Sequence, residues 1–431
     1  MCGIAGVLGG DVAAVGPMIA ALTHRGPDGI RIEGGLAHAR RSIIDLEGGW
    51  QPLHAAGGTV VGNGEIYNYV ELARDHQLGA SLATGSDFEP FLHLQAAEGE
   101  AAIERLRGMY ALCLVGANGR TVLARDPFGI KPLYMMTTGE GLAFASEPRA
   151  FFAARLMAPV LDVDAAREFL DLNYTLGART LFQGLRRLAP GEVVEVRGGQ
   201  IVSSHRRAPF AHSLPSRGGT GARSAPGWGS VGQNSAAGED RDSPTLTASR
   251  SVPPLGGEGM LLQHLDAVLE DSVRVHQRSD VPYGLFLSGG IDSAAIATLM
   301  ARLNERPVTA FTCGFDAPGA ADERAAAEAV AKALNLDWRE TTFGEADFWR
   351  ILPRVAWALD DPTADYATLP TYKLAEAAKG TLTVVLTGEG GDELFAGYGR
   401  YRRALRPAWL GGRPAEPRGV SAPTLAAWRE A

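Results

Sequence analysis

The chain has 431 residues, 45% of them hydrophobic, and a formal net charge of -8; this exceeds one ordinary domain and provides apolar material for two cores. The acidic balance, with no basic face, argues against nucleic acid as a partner. No apolar run reaches the ~20 residues of a membrane span, no basic-then-apolar leader opens the chain, and Cys2, Cys113 and Cys313 are too scattered for a disulfide framework or a zinc site, so a soluble cytoplasmic protein is expected.

The chain opens Met1-Cys2-Gly3-Ile4-Ala5-Gly6-Val7. A small second residue favours removal of Met1, which leaves one residue carrying both a thiol and a free α-amine. Such an amine titrates near pH ~7.7 to 8.0 and can act as base for the adjacent thiol. The alternative is a small buried cysteine at the start of a strand, the commoner fate of free cysteine; taken alone, Cys2 leaves both open.

Next come His24-Arg25-Gly26-Pro27-Asp28-Gly29, Arg40-Arg41-Ser42-Ile43-Ile44-Asp45, Asn63-Gly64-Glu65-Ile66-Tyr67-Asn68 and Gly85-Ser86-Asp87. Each alone is an ordinary turn or solvated charge. Met109 to Val115 is an apolar run, Asn118-Gly119 signals a hairpin turn and Thr121 to Ala124 returns, so the first part is expected to be sheet-rich, with helical patches such as Ala165 to Leu172. Arg125-Asp126-Pro127-Phe128-Gly129-Ile130-Lys131-Pro132-Leu133-Tyr134, Phe144-Ala145-Ser146-Glu147 and Leu185-Arg186-Arg187-Leu188-Ala189-Pro190-Gly191 complete the series.

In this order, behind an N-terminal cysteine, these strings resemble the N-terminal-nucleophile glutaminase domain of glutamine-hydrolysing asparagine synthetases. The resemblance implies an α+β domain of four layers, helix, sheet, sheet, helix (αββα), over residues 1–204. It implies Cys2 as nucleophile, with the Asn63 side-chain amide and the Gly64 backbone N–H as oxyanion hole, donors that amide hydrolysis requires. Glutamine would be held by Arg40 at its carboxylate, where a planar two-pronged donor suits. Asp87 would take its ammonium group, with Ile43, Ile44 and Glu65 around it. The loop with Arg25, Gly26 and Pro27 would close over the substrate. Arg41 departs from the family, which carries an apolar residue there, and stands at the pocket edge.

Residues 205–259 lose all periodicity and are crowded with Ser, Gly, Pro, Arg and Thr, which reads as a flexible linker or, on the other reading, a partner-binding segment. Order returns at Met260, where Leu261, Leu265, Val268, Leu269 and Val273 recur at helical spacing.

The stretch Tyr283 to Leu287 reads as a buried strand that breaks into Ser288-Gly289-Gly290-Ile291-Asp292-Ser293 and restarts as a helix at Ala294. Unpaired N–H groups and the dipole of such a helix start favour phosphate. A plain glycine turn is the alternative, and no lysine follows to make a Walker loop. Serines can donate to a pyrophosphate and Asp292 can hold its Mg²⁺. A strand Val308 to Cys313, a helix Asp322 to Leu334, a strand Trp338 to Phe343 and a helix through Ala358 follow, an alternation that implies a parallel sheet with ligands beyond its C-terminal strand ends. Leu382 to Thr387 is another buried strand, opening into Gly388-Glu389-Gly390-Gly391-Asp392-Glu393-Leu394-Phe395-Ala396-Gly397-Tyr398. Its carboxylates suit a solvated turn or a Mg²⁺ site facing Asp292.

The loop at 288–293 resembles the pyrophosphate loop of ATP pyrophosphatases. With Asp361-Pro362-Thr363-Ala364-Asp365, Leu369-Pro370-Thr371-Tyr372 and the second glycine loop, it again resembles asparagine synthetases. By that resemblance residues 260–405 form an α/β parallel-sheet ATP-pyrophosphatase-type domain. Leu287, Ser288, Gly289, Gly290, Asp292, Ser293, Cys313, Thr387 and Gly388 would line the ATP site. Asp292 and Asp392 would share Mg²⁺, and Glu389 would help form the acyl-adenylate and accept ammonia's proton. The implied reaction is synthesis of asparagine from aspartate, ATP and glutamine; a glutamine amidotransferase for another carboxylate, or a glutaminase with a silent second half, are the alternatives. Such enzymes often form homodimers. The family continues into further helices carrying a lysine, whereas 33 residues follow Tyr398, no lysine lies beyond Lys379, and Arg400, Arg402 and Arg403 are the nearby cations; a C-terminally short member with an irregular tail at 406–431 is expected.

Overall fold

The computed structural model describes residues 1–207, 258–395 and 397–399, apart from 318 and 321. Most of the expected linker, Arg400, Arg402, Arg403 and the expected tail lie outside the described residues.

In chain order the first part contains β1 (Gly3–Leu8), α1 (Val15–Ala20), β2 (Gly29–Glu33), β3 (Leu36–Arg40), β4 (Leu53–Ala55), β5 (Gly58–Ile66), α2 (Tyr69–Asp75), α3 (Glu89–Glu98), β6 (Gly108–Val115), β7 (Thr121–Arg125), β8 (Tyr134–Thr137), β9 (Leu142–Ala145), α4 (Arg149–Ala153), α5 (Val163–Leu172), β10 (Arg186–Arg187), β11 (Glu192–Arg197) and β12 (Gln200–Arg206). The strands form two six-stranded sheets, ordered β10-β8-β9-β1-β3-β2 and β12-β11-β7-β6-β5-β4. Every pairing in both sheets is antiparallel.

Strand periodicity explains the layers. Successive side chains point to opposite faces, so on β1 Ile4 joins Val61, Leu123 and Phe144 between the sheets, while Ala5 and Val7 turn outward to meet Met18 and Ile19 of α1 and Phe151 of α4. On the other side Val60, Leu112 and Val122 pack against Phe91, Leu92 and Leu94 of α3. The result is helix, sheet, sheet, helix. Helix α5 starts two residues before the sequence pattern suggests, because the Asp162 carboxylate accepts from the N–H groups of Asp164 and Ala165 and thereby caps the first turn.

The second part runs α6 (Glu258–His276), β13 (Tyr283–Phe286), α7 (Ile291–Leu303), β14 (Thr309–Phe315), α8 (Arg324–Ala333), β15 (Asp337–Phe343), α9 (Glu345–Ala358), α10 (Thr368–Ala378), β16 (Val384–Leu386) and α11 (Gly391–Phe395). The four strands form a parallel sheet ordered β15-β14-β13-β16. Leu285 and Leu287 lie in a core with Met300, Ala310, Ala327 and Ala331. The central strands therefore deliver their C-terminal ends, and the two glycine loops, to one edge of the sheet. The last strand is only three residues long, shorter than its apolar run.

Sandwich and parallel sheet fall within one compact unit. Arg278 makes a two-pronged pair with Glu71 at 2.5 and 2.6 Å, Arg149 does the same with Asp360 at 2.5 and 2.8 Å, and the Tyr134 hydroxyl donates to Asp361 at 2.9 Å. The planar guanidinium fork suits such paired contacts.

Phe144 is fully buried between the two sheets. Phe144→Ala is expected to cost about 3 to 5 kcal/mol, seen as a lower urea midpoint at an unchanged slope; an unaltered midpoint would contradict the sandwich packing.

Candidate active sites

Cys2 stands at the head of β1, an interior strand hydrogen-bonded to β3 on one side and β9 on the other. Its Sγ accepts from the Arg41 N–H at 3.3 Å and lies 3.5 Å from the Arg41 carbonyl. The Arg25 Nε donates to the Cys2 carbonyl at 2.9 Å, and Arg25 is held in turn by Glu147 at 2.6 Å. Gly26 lies where a Cβ would come within 2.1 Å of the Ala39 backbone, so the 24–29 loop sits directly on β3. Burial pushes the Cys2 thiol up, and burial lowers the neighbouring terminal amine to about 6. That amine belongs to Met1, which is present in this structure.

The thiol opens into a pocket lined by His38, Arg40, Arg41, Ile43, Ile44, Gly64, Glu65 and Asp87 among others. The structure thus gathers Cys2 with six of the expected glutamine-binding residues, drawn from β3, β5 and two loops. Asn63 lies beside them on β5, wholly buried, and neither atom of its amide has a protein partner. A buried amide left unpaired costs stability, and it is the natural partner for a bound ligand. Gly64 admits no side chain: a Cβ would stand 2.0 Å from the Met109 carbonyl on β6.

Charges divide the pocket. Arg40 lies over the Trp50 ring at 4.8 Å and donates to the carbonyls of Asp45 at 2.5 Å and Leu46 at 3.2 Å, using two of its five N–H donors. Opposite in sign are Glu65 and Asp87. Burial pushes both carboxyls up, and for Glu65 the nearby Asp87 adds to this; the Ile66 N–H, donating to Asp87 at 2.7 Å, works the other way. The buried Lys131 opposes the rise at Glu65; two buried carboxyls on this side of the pocket suit an ammonium group. His38 and Gln51, absent from the sequence reading, are also part of this pocket. His38 is buried with both ring nitrogens unpartnered, and burial lowers it to about 3, so it stays neutral. Gln51 accepts from the Gly62 N–H at 2.5 Å and fixes β5. His38 sits two residues before Arg40 on the same strand, a period-two signal that marks a shared face. A larger groove near Leu8, His54 and Gly199 contains none of the expected site residues.

In the parallel-sheet half, the loop at 288–293 is pinned from inside. The Ser288 and Ser293 hydroxyls are 2.8 Å apart, the Ser288 N–H donates to Ser293 Oγ at 3.1 Å, and the Gly290 N–H donates to Ser288 Oγ at 3.2 Å. Leu287 is buried; its carbonyl accepts from Thr312 at 2.8 Å. Gly290 caps α7 without any side-chain bond, leaving the helix N–H groups free for an anion. The second glycine loop packs against the first: a Cβ on Gly388 would lie 2.6 Å from the Ser293 nitrogen, and one on Gly391 2.5 Å from the Asp292 carboxyl. Asp292 and Asp392, adjacent to Gly391, thus come from loops in direct contact. Cys313 is half-buried on β14 and, like Thr387 and Gly388, belongs to the strand ends and loops of this edge; Glu389 is exposed. Among the described residues no group of three His, Cys, Asp or Glu is poised for a metal, and no helix is long and apolar enough to cross a membrane.

An antiparallel sandwich headed by a half-buried cysteine, joined to a parallel sheet with a serine-pinned glycine loop, defines an N-terminal-nucleophile amidotransferase domain coupled to a nucleotide domain. The glutamine amidotransferase domain family matches residues 1–206 and the asparagine synthase family residues 264–430. The chain is 32% identical over 94% of its length to the glutamine-hydrolyzing asparagine synthetase 1 of Bacillus subtilis, of which it covers 60%. It is 35% identical over 94% of its length to the "Putative asparagine synthetase [glutamine-hydrolyzing]" of Mycobacterium tuberculosis, again covering 60%, and 30% identical over 92% to the "Putative asparagine synthetase [glutamine-hydrolyzing] 2" of Methanocaldococcus jannaschii, covering 76%. The chain belongs to the glutamine-hydrolysing asparagine synthetase family, and spans about 60% of the length of the first two relatives.

The raised Asp87 carboxyl makes a test. Its folded value, about 7 against 3.8, means the folded state binds the proton more tightly, so the empty pocket loses stability as pH rises from about 4 to about 7. Asp87→Asn is expected to flatten that decline in melting temperature; parallel curves for variant and parent would refute it.

Proposed function

We propose that the chain catalyses glutamine-dependent synthesis of asparagine from aspartate and ATP. The observation carrying this is that the Cys2 thiol shares one pocket with Arg40, Gly64 and Asp87, next in sequence to the buried, unpartnered Asn63 amide. Glutamine fits with its carboxylate at Arg40 and its ammonium group toward Glu65 and Asp87, with Ile43 and Ile44 along its length. The Cys2 thiol attacks the side-chain amide carbon. Once Met1 is removed, the α-amine of Cys2 takes the thiol proton; such an amine titrates near pH ~7.7 to 8.0 and is competent as base at neutral pH. The Asn63 amide and the Gly64 N–H receive the oxyanion. Ammonia leaves, and water hydrolyses the resulting thioester to glutamate.

ATP is the proposed ligand of the second site, with its phosphates at Ser288, Gly289, Gly290 and Ser293 and the nucleoside toward Leu287, Cys313, Thr387 and Gly388. Asp292 and Asp392 fit Mg²⁺, which takes few protein carboxylates alongside substrate phosphates and water; bound there, it would neutralise phosphate charge. The β-carboxylate of aspartate attacks the α-phosphorus, forming β-aspartyl-AMP and releasing pyrophosphate. Ammonia then displaces AMP, with Glu389 accepting its proton. Keeping ammonia out of bulk water preserves the neutral nucleophile. The scattered free cysteines suit the reducing cytoplasm.

Release of AMP and pyrophosphate with ATP, Mg²⁺ and ammonium, with and without aspartate, tests the second half. Aspartate-dependent release supports asparagine synthesis; none, with glutamine still hydrolysed, would leave only a glutaminase or another acceptor. Cys2→Ala is expected to lower glutamine-dependent product by at least about 10³-fold and to leave ammonia-dependent product unchanged. Loss of both activities in a folded variant would contradict the division into two sites.

A further inference from the structure

Between α6 and β13 the chain passes Arg278, Ser279 and Asp280, and this short segment of the nucleotide half is bonded to the glutamine pocket. The Asp280 N–H donates to the Ile43 carbonyl at 2.9 Å, and its carboxylate accepts from the Asp45 N–H at 2.8 Å. Arg278, two residues earlier, is fixed by Glu71 and by the Tyr67 carbonyl, so the segment is a fixed support.

Asp45 is where the pocket's two charged ends meet. It has φ +51°, a left-handed conformation that a non-glycine residue keeps only when its surroundings hold it. Its carbonyl accepts from Arg40 at 2.5 Å. Its carboxylate accepts from the N–H groups of Gly48 at 2.9 Å and Gly85 at 2.8 Å, the latter two residues from Asp87. The turn that orients Arg40 and the loop that carries Asp87 are thus joined at one residue, and Asp280 holds both its N–H and the Ile43 carbonyl two residues before it.

We infer that Asp280 is a positioning residue for glutamine, holding the 43–46 turn so that Arg40 and Asp87 stand at the right separation for the substrate's carboxylate and ammonium. This rests on the reading of the first pocket as a glutamine site. Because the segment leads within a few residues into β13 and its glycine loop, it also ties the glutamine pocket to the strand that carries the nucleotide loop.

The experiment measures glutamate release from glutamine by the full chain, and by its Asp280→Ala and Asp280→Asn variants, alongside melting temperature. Asp280 is exposed, so both variants are expected to melt near the parent. Asp280→Ala is expected to raise the KM for glutamine about fivefold, or about 1 kcal/mol, with kcat unchanged. Asp280→Asn keeps an acceptor oxygen and is expected to restore KM. An unchanged KM in Asp280→Ala, or an Asp280→Asn variant as weak as Asp280→Ala, overturns the inference alone. A parent chain that hydrolyses no glutamine overturns the glutamine reading beneath it as well.

Discussion

A chain terminus ordinarily frays, and here it is the head of an interior strand. The sandwich half depends on that constraint. Strand β1 has neighbours on both sides, and its side chains alternate between the inter-sheet core and the helical layer, so residue 2 cannot wander. Close packing requires small residues along it: a Cβ on Gly6 would lie 2.3 Å from the Phe144 ring. Arg25 then closes the remaining freedom by holding the Cys2 carbonyl. A thiol on a flexible terminus would have to be ordered by whatever binds it, whereas this one is ordered by folding.

The nucleotide half solves a similar problem differently. Its loop is held by hydroxyls inside the loop itself, Ser288 to Ser293, and by packing against a second glycine loop. What joins the halves is a set of arginine and carboxylate contacts on partly buried surface. Glu147 accepts from Arg25 at 2.6 Å and lies 3.1 Å from Arg149, which pairs with Asp360. The same Arg149 lies over the Trp357 ring at 3.9 Å, and His24 meets that ring edge-on at 5.6 Å. Contacts of this kind fix orientation more than they add stability, since removing ions from water offsets much of their attraction.

The layers and the sheet directions were legible because they follow from period and alternation: Ile4 in and Ala5 out on one strand, strand-loop-helix repeated on the other side. The pocket residues Cys2, Arg40 and Asp87, and Asn63 beside them, stood out through the order of their strings. Less legible was anything set by partners far along the chain. Asp280 reaches a residue 235 positions away, and nothing local to Ser279-Asp280-Val281 marks it. His38 and Gln51 read as ordinary polar residues until β3 and β5 bring them inward. Helix α10 was hidden by Pro370, which reads as a breaker, yet falls in the helix's first turn, where the missing N–H has no intrahelical partner to lose.

The place of Cys2 one residue from the terminal amine has a practical side. Any segment fused ahead of Met1 would keep Cys2 bonded as an ordinary internal residue, without a free α-amine. On the proposed mechanism, an affinity tag placed there would silence glutamine use while sparing the nucleotide half, and such a fusion would pass for an enzyme that uses free ammonia only.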